Sequence, residues 1–275
     1  MSPKTHLTPA FIIEWIFEEE PWISEGYSVH RCQEETRFGI VKYIKIIKQN
    51  DTRALIFENG GMSGLHSIHN VSLPLYSILW RHNIKIVFLL GFCGSLNKKY
   101  PVNTLLIPHD LVDFTKSRPR SFIEAVSPGA LFFYKMKTPF STNLCDILEN
   151  VASQEKLSYS KYAVLGVTEG PRFETESEIH VFKKQGIDCV SFSGIPDVSF
   201  ARELDMHYAM GLFVSNFAEG IDEAEGKTVL ANAEEGAHLI TKLMIKIIKT
   251  KLKINTQFHN KFWMQRPASE IYKKI

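Results

Sequence analysis

Apolar runs of strand length recur along the chain, each closed by glycine, proline, amide or carboxylate residues, with amphipathic stretches between them. Residues 11–17 (FIIEWIF) are apolar except Glu14 and stop at Glu18-Glu19-Glu20-Pro21, which predicts a first strand leading into an acidic turn. Residues 39–47 (GIVKYIKII) and 54–57 (ALIF) carry the branched and aromatic enrichment of strands. The second run ends at Glu58-Asn59-Gly60-Gly61, where a double glycine lets the backbone come close to a ligand. Residues 73–80 read as a helix with Leu75, Ile78 and Leu79 on one face. Residues 84–90 (IKIVFLL) form a nearly continuous apolar run, a buried strand that opens on Gly91-Phe92-Cys93-Gly94-Ser95. A strand followed by a glycine turn is how open α/β sheets present ligand sites, and the same glycines equally fit a plain tight turn.

The second half continues the alternation. Residues 104–108 (TLLIP) and the segment to Asp113 extend the sheet, and residues 115–128, rich in Ser, Arg and Pro, predict an irregular excursion on the surface. At its far end Phe132-Phe133-Tyr134 reads as a satellite cluster, a subunit contact or a lid. Residues 143–152 are amphipathic at helical spacing, and residues 163–167 are a strand leading into Glu169-Gly-Pro-Arg-Phe-Glu174. Thr175 and Glu178 have capping-box spacing, which accounts for Glu178 and leaves Glu174 without a structural assignment. Strands at residues 188–192 and 207–214 end at Ser193-Gly194 and Ser215-Asn216, with a helix at residues 198–204 between them. A long amphipathic helix covers residues 230–252, and a basic tail or peripheral helix covers residues 253–275. The pattern predicts one α/β domain over residues 1–252, with a mixed central sheet flanked by helices.

Composition narrows this picture only slightly. With 275 residues, 44% apolar, 23% charged and a formal net charge of +2, the chain reads as a soluble α/β protein without nucleic-acid or membrane partners. Cys32, Cys93, Cys145 and Cys189 are widely spaced, so neither a zinc site nor a disulfide framework is expected, and reduced thiols suit a cytoplasmic setting. No apolar run approaches a membrane span, and the N-terminus carries charges where a signal peptide would be apolar. Neither a metal nor a cofactor is expected.

The strand ends collect Glu58 and Asn59, Gly91 to Cys93, Glu174, Ser193 and Gly194, and Ser215 and Asn216. An ionised Glu only accepts hydrogen bonds, whereas an Asn amide donates and accepts. Such a pair suits a planar heterocycle with an N–H beside a carbonyl, the edge of a 6-oxopurine; both residue types also serve as ordinary caps.

The stretches GFCGSLN (residues 91–97), TEGPRFETESEI (168–179) and VSFSGIPDVSFARELDMHYAMGLFVSNFAEG (190–220) resemble the trimeric purine nucleoside phosphorylases, in particular the methylthioadenosine and methylthioinosine phosphorylase branch. The resemblance covers residues 83–236 and implies a single α/β domain assembled as a homotrimer, with sites near subunit boundaries. It puts Glu174 on the base-binding carboxylate and Asn216 on the base-binding amide of members that use 6-oxopurines, with Cys93 and Gly94 on the same base side. Asn216 would then bond N7 and O6 as charge builds on the leaving purine. Phe192 stands in for the Met under the ribose. Ala233 falls where 6-oxopurine enzymes carry a His for the 5′-hydroxyl, which suits a 5′-deoxy or 5′-methylthio group. Phe133 aligns with a residue borrowed from the neighbouring subunit.

The phosphate side departs from that pattern. Of the family's phosphate contacts only Ser193 is matched; Gly91-Phe92 puts a bulky ring where a small residue is usual, and Glu58-Asn59 stands where an Arg-bearing segment is expected. The first strand has no glycine-rich loop after it. Phosphate is a dianion that needs cations or N–H groups, and a Glu in place of an Arg repels it. Three readings follow: a phosphorylase with phosphate as co-substrate and its cation from Arg53, Arg118 or Arg120; a nucleoside hydrolase with Glu58 as general base; or an inactive purine-binding homologue.

Overall fold

The computed structural model describes residues 7–58, 71–130, 132–222, 226–250, 252, 254 and 263–264. Among them, β1 (Pro9–Ile13), β4 (Asp51–Glu58) and β5 (Ile86–Ser95) run parallel side by side, with β1 in the middle. All five residues of β1 are buried, as an apolar run flanked by parallel neighbours must be. β2 (Ser28–Thr36) and β3 (Gly39–Lys48) extend this flank as antiparallel strands. Gln49 and Asn50, both at positive φ, connect Lys48 to Asp51 as the tight two-residue turn that matches strand twist.

On the other side the sheet closes on itself. β6 (Leu105–Asp113), β8 (Tyr159–Val167), β9 (Cys189–Ser191) and β10 (His207–Phe217) follow in space, and β10 pairs with both β6 and β5. The circuit β5–β10–β6–β8–β9 returns to β5 through the antiparallel β9–β5 pair, leaving β1, β4, β3 and β2 as an open arm. The sheet is therefore mixed, as expected. Where β10 meets β5, the register slips between Val214, paired with Cys93, and Asn216, paired with Gly94. The extra residue, Ser215, is a bulge of the kind that re-aims the following side chain.

The helices pack on these strands: α1 (Glu20–Ser24), α2 (Ser72–Arg81), α3 (Phe122–Val126), α4 (Thr142–Gln154), α5 (Glu176–Lys184), α6 (Asp197–Glu203) and α7 (Gly226–Lys249). α5 begins with the capping box anticipated from sequence: Thr175 Oγ1 accepts from Glu178 N at 3.2 Å, and Glu178 accepts from Thr175 N at 2.8 Å. Glu178 also takes Arg172 in a two-point contact at 2.8 Å per bond, so its carboxylate is structural.

Four expectations change. The first strand stops at Ile13, and Glu14 follows it with its N–H still donating to Leu90 O at 3.2 Å. β2 was not anticipated, because its polar sequence (SVHRCQEET) lies on the exposed edge of the arm and needs no apolar alternation. Residues 115–128 are not a surface excursion throughout: Arg118 is buried, and Phe122, Ile123 and Val126 of α3 enter the core. Backbone carbonyls take the two terminal nitrogens of Arg118, its Nε lies 3.7 Å from the Glu169 carboxylate, and the Glu203 carboxylate accepts from Phe122 N and Ile123 N at 2.7 and 3.0 Å. In the expected tail, Trp263–Met264 form β11, which pairs antiparallel with β7 (Phe132–Phe133). The remainder of residues 253–275 lies outside the described residues apart from Ile254.

The capping box gives a direct stability test. Thr175→Ala should cost about 1 kcal/mol, read as a lower melting temperature, and Thr175→Ser should restore most of it. Equal melting of all three proteins would remove the cap from the stabilising interactions of α5.

Candidate active site

A cavity of about 330 Å³ opens where the carboxyl ends of β1, β5 and β10 meet the segments after β8 and β9. This is large enough for a small organic ligand. Of the residues singled out from sequence, Phe92, Cys93, Gly94, Glu174, Phe192, Ser193, Asn216 and Ala233 line it. Gly91 lies immediately behind its wall, against Glu14.

At one end, Glu174 is buried and accepts from Thr168 Oγ1 at 2.5 Å. Asn216 is oriented by two contacts: Ser215 Oγ donates to its Oδ1 at 2.8 Å, and its Nδ2 donates to Phe217 O at 2.9 Å. Each contact uses one side of the amide, so one N–H and one oxygen lone pair remain for a ligand. Gly94 lies opposite Asn216, whose Nδ2 would meet an added Cβ at 3.4 Å, an ordinary contact distance. Phe192 stacks on Phe173 with ring centres 6.2 Å apart. Val229 and Ala233 of α7 supply an apolar wall, and Asn232 Nδ2 ties α7 to Ser215 O at 2.9 Å.

At the other end stands a residue to which the sequence reading gave no role. Glu14, half-buried and facing the cavity, accepts from Phe92 N at 2.8 Å through Oε2 and from the Ser193 hydroxyl through Oε1. Gly91 makes room for it, because a Cβ there would lie 1.9 Å from Oε2. Phe92 packs edge-on to Trp15 at 5.9 Å, and its ring lies close enough to α7 that a Cβ on Gly236 would meet it at 2.6 Å. Burial pushes the Glu14 carboxyl up to about 7; the Phe92 N–H opposes the shift, Asp197 adds to it and Arg118 opposes it. The signal was present in FIIEWIF: a single charge inside an apolar run at a strand end.

Glu58, expected as a general base, does not line the cavity. It sits beside Ile13 in the β1–β4 register, but its Oε1 accepts from Phe17 N at 2.8 Å. Its position therefore anchors the turn that carries Glu14. Arg118 is equally committed, donating to Ile195 O at 2.5 Å, Thr168 O at 2.8 Å and Glu169 O at 3.3 Å. Arg53 and Arg120 are not among the lining residues either. Asn59 lies outside the described residues, and Phe133 is 61% exposed and away from the cavity of its own chain. Among the described lining residues there are carboxylates at Glu14, Glu174 and Glu219 and no Lys, Arg or His. The described residues also contain no cluster suited to a metal ion.

Comparison with known proteins agrees with this architecture. A family model described as the phosphorylase superfamily matches residues 13–249. The chain is 32% identical over 222 residues to the probable S-methyl-5′-thioinosine phosphorylase of Methanocaldococcus jannaschii, covering 78% of this chain and 80% of that protein. It is 33% identical to the probable 6-oxopurine nucleoside phosphorylase of Thermococcus kodakarensis, covering 68% and 72%. In fold, it matches a methylthioadenosine phosphorylase from an Antarctic soil metagenomic library with a TM-score of 0.72 at 18% identity, over 92% of this chain and 90% of that one. An adenosine/methylthioadenosine phosphorylase mutant from Schistosoma mansoni gives 0.76 at 17% identity, over 88% and 90%.

The Glu14 environment makes a pH prediction. Its ordinary value is 4.5 and its folded value about 7, so the neutral form is favoured in the fold. That contribution is complete below pH 4.5 and is lost as pH rises through about 7. Glu14→Gln, which keeps an acceptor for Phe92 N, should therefore melt increasingly above the parent protein as pH rises from about 5 to about 8. A melting difference that does not change with pH would contradict the buried carboxyl.

Proposed function

The chain belongs to the phosphorylase superfamily, and on that premise we propose that it cleaves the N-glycosidic bond of a 6-oxopurine nucleoside of the inosine, guanosine or 5′-methylthioinosine type. The observation that carries this reading is one cavity presenting the Glu174 carboxylate and the Asn216 amide together, with Phe192 and an apolar wall beside them. Glu174 accepts the N1–H of the base, and the free N–H of Asn216 meets N7 while its oxygen faces the neighbouring polar edge. As the glycosidic bond lengthens, negative charge moves into the purine and the Asn216 contact strengthens, which lowers the barrier rather than merely tightening binding.

The sugar lies over Phe192, with its 5′ end towards Val229 and Ala233. An apolar wall has no partner for a 5′-hydroxyl and suits a 5′-methylthio group, in keeping with the name of the M. jannaschii relative, a probable S-methyl-5′-thioinosine phosphorylase. The likeness of residues 83–236 to the trimeric purine nucleoside phosphorylases supports assembly as a homotrimer in which Phe133, exposed in its own chain, covers the site of a neighbour. The described cysteines are all free thiols, which supports a cytoplasmic setting.

Free base released from inosine, guanosine, 5′-methylthioinosine and adenosine, measured by chromatography, tests this reading. Release from the first three and little from adenosine is expected. Asn216→Ala should lower kcat/KM by about a hundredfold or more, and Asn216→Asp should move the preference towards 6-aminopurines. A wild-type rate in the first variant or an unmoved preference in the second would take Asn216 out of the pocket's chemistry.

A further inference from the structure

The N–H of Phe92 and the hydroxyl of Ser193 form a two-donor cradle beside the purine pocket, and the chain fills it with its own Glu14 carboxylate. We propose that Glu14 takes the place of an external anion and directs a water molecule onto the anomeric carbon, so that the glycosidic bond is hydrolysed. This inference rests on the purine-nucleoside reading of the cavity.

Three observations meet here. Both donors of the cradle are already engaged by Glu14, so an entering phosphate would have to displace a carboxylate that Gly91 is shaped to admit. A phosphate dianion would also find the carboxylates of Glu14, Glu174 and Glu219 and no cationic side chain among the described lining residues. Arg118, whose charge reaches Glu14, does not line the cavity: its terminal nitrogens donate to backbone carbonyls and its Nε lies 3.7 Å from Glu169. The spacing fits as well: Glu14 lies against Gly91 and Asn216 against Gly94, three residues on, or about 10 Å along the strand. That interval can hold a pentose between the carboxylate and the base-binding amide.

The step balances without any further reagent. The water oxygen bonds to C1′ while one of its protons passes to Glu14. The C1′–N9 bond breaks with its electron pair moving onto the purine, held by Asn216. The purine regains a proton from Glu14 or solvent, giving free base and free pentose. A carboxyl poised near 7 suits this exchange at neutral pH. The groups whose charge bears on Glu14 are Asp197, which favours its neutral form, and Arg118, which favours ionisation; buried Cys93 and Tyr208 are themselves pushed well above their usual range and stay neutral.

The test is cleavage of inosine in ¹⁸O-labelled water, with and without inorganic phosphate, analysing the sugar by mass spectrometry. One labelled oxygen in ribose and a rate indifferent to phosphate are expected. Ribose 1-phosphate, or base release that requires phosphate, would overturn the role of Glu14 and leave the nucleoside-cleaving function intact; no base release under any condition would remove both. Glu14→Ala should lower kcat by about a hundredfold or more and regain part of it with added formate or azide, while Glu14→Gln should be equally slow without rescue. Hypoxanthine binding retained in both variants reports an intact pocket. Wild-type turnover in either variant would exclude Glu14 as the base.

Discussion

The arrangement of the site depends on residue 91 having no side chain. A strand buried on both faces normally carries large apolar residues, and β5 does so from Ile86 to Leu90. At Gly91 the pattern breaks, and the Glu14 carboxylate occupies the vacated volume. From this single contact follow the hydrogen bond to Phe92 N, the tie to Ser193, the end of β1 at Ile13 and the turn that Glu58 anchors through Phe17 N. A glycine and a glutamate far apart in sequence thus form one structural unit.

Much of the fold was legible because the core strands obey simple periodicity. β3, β4 and β5, the helices α2, α4 and α5, and the capping box at Thr175 all follow from local pattern. β2 did not, since an edge strand with an exposed face is selected by pairing rather than by apolar alternation. The interior course of residues 115–128 was hidden for another reason: a buried arginine is tolerable only when carbonyls from distant segments converge on it, and no local window contains Ile195 and Thr168 as well as Arg118.

The candidate site divides in the same way. Glu174, Ser193 and Asn216 sit in stretches specific enough to be read directly, and they line one cavity. Glu58 was expected at the cavity and Glu14 was given no role, because both are charges at the carboxyl ends of neighbouring strands and only the direction of the side chain separates them. Glu58 turns to the Phe17 N–H and Glu14 turns to the cavity. A sequence shows that a charge interrupts an apolar run; it does not show which way the strand will present it.

The closed circuit of β5, β10, β6, β8 and β9 carries nearly all of the base-facing wall, whereas Glu14 comes from β1, the first strand of the open arm. The two halves of the cavity are thereby mechanically partitioned. Recognition rests in a loop of strands whose registers are mutually locked, where one altered pairing must propagate around the circuit. Glu14, the proposed base, hangs from a flank with a free edge at β2, where small adjustments can be absorbed. Such a division would let the group that directs the nucleophile be exchanged while the proposed purine pocket stays fixed, which makes the arm the natural place for this scaffold to acquire new reactions.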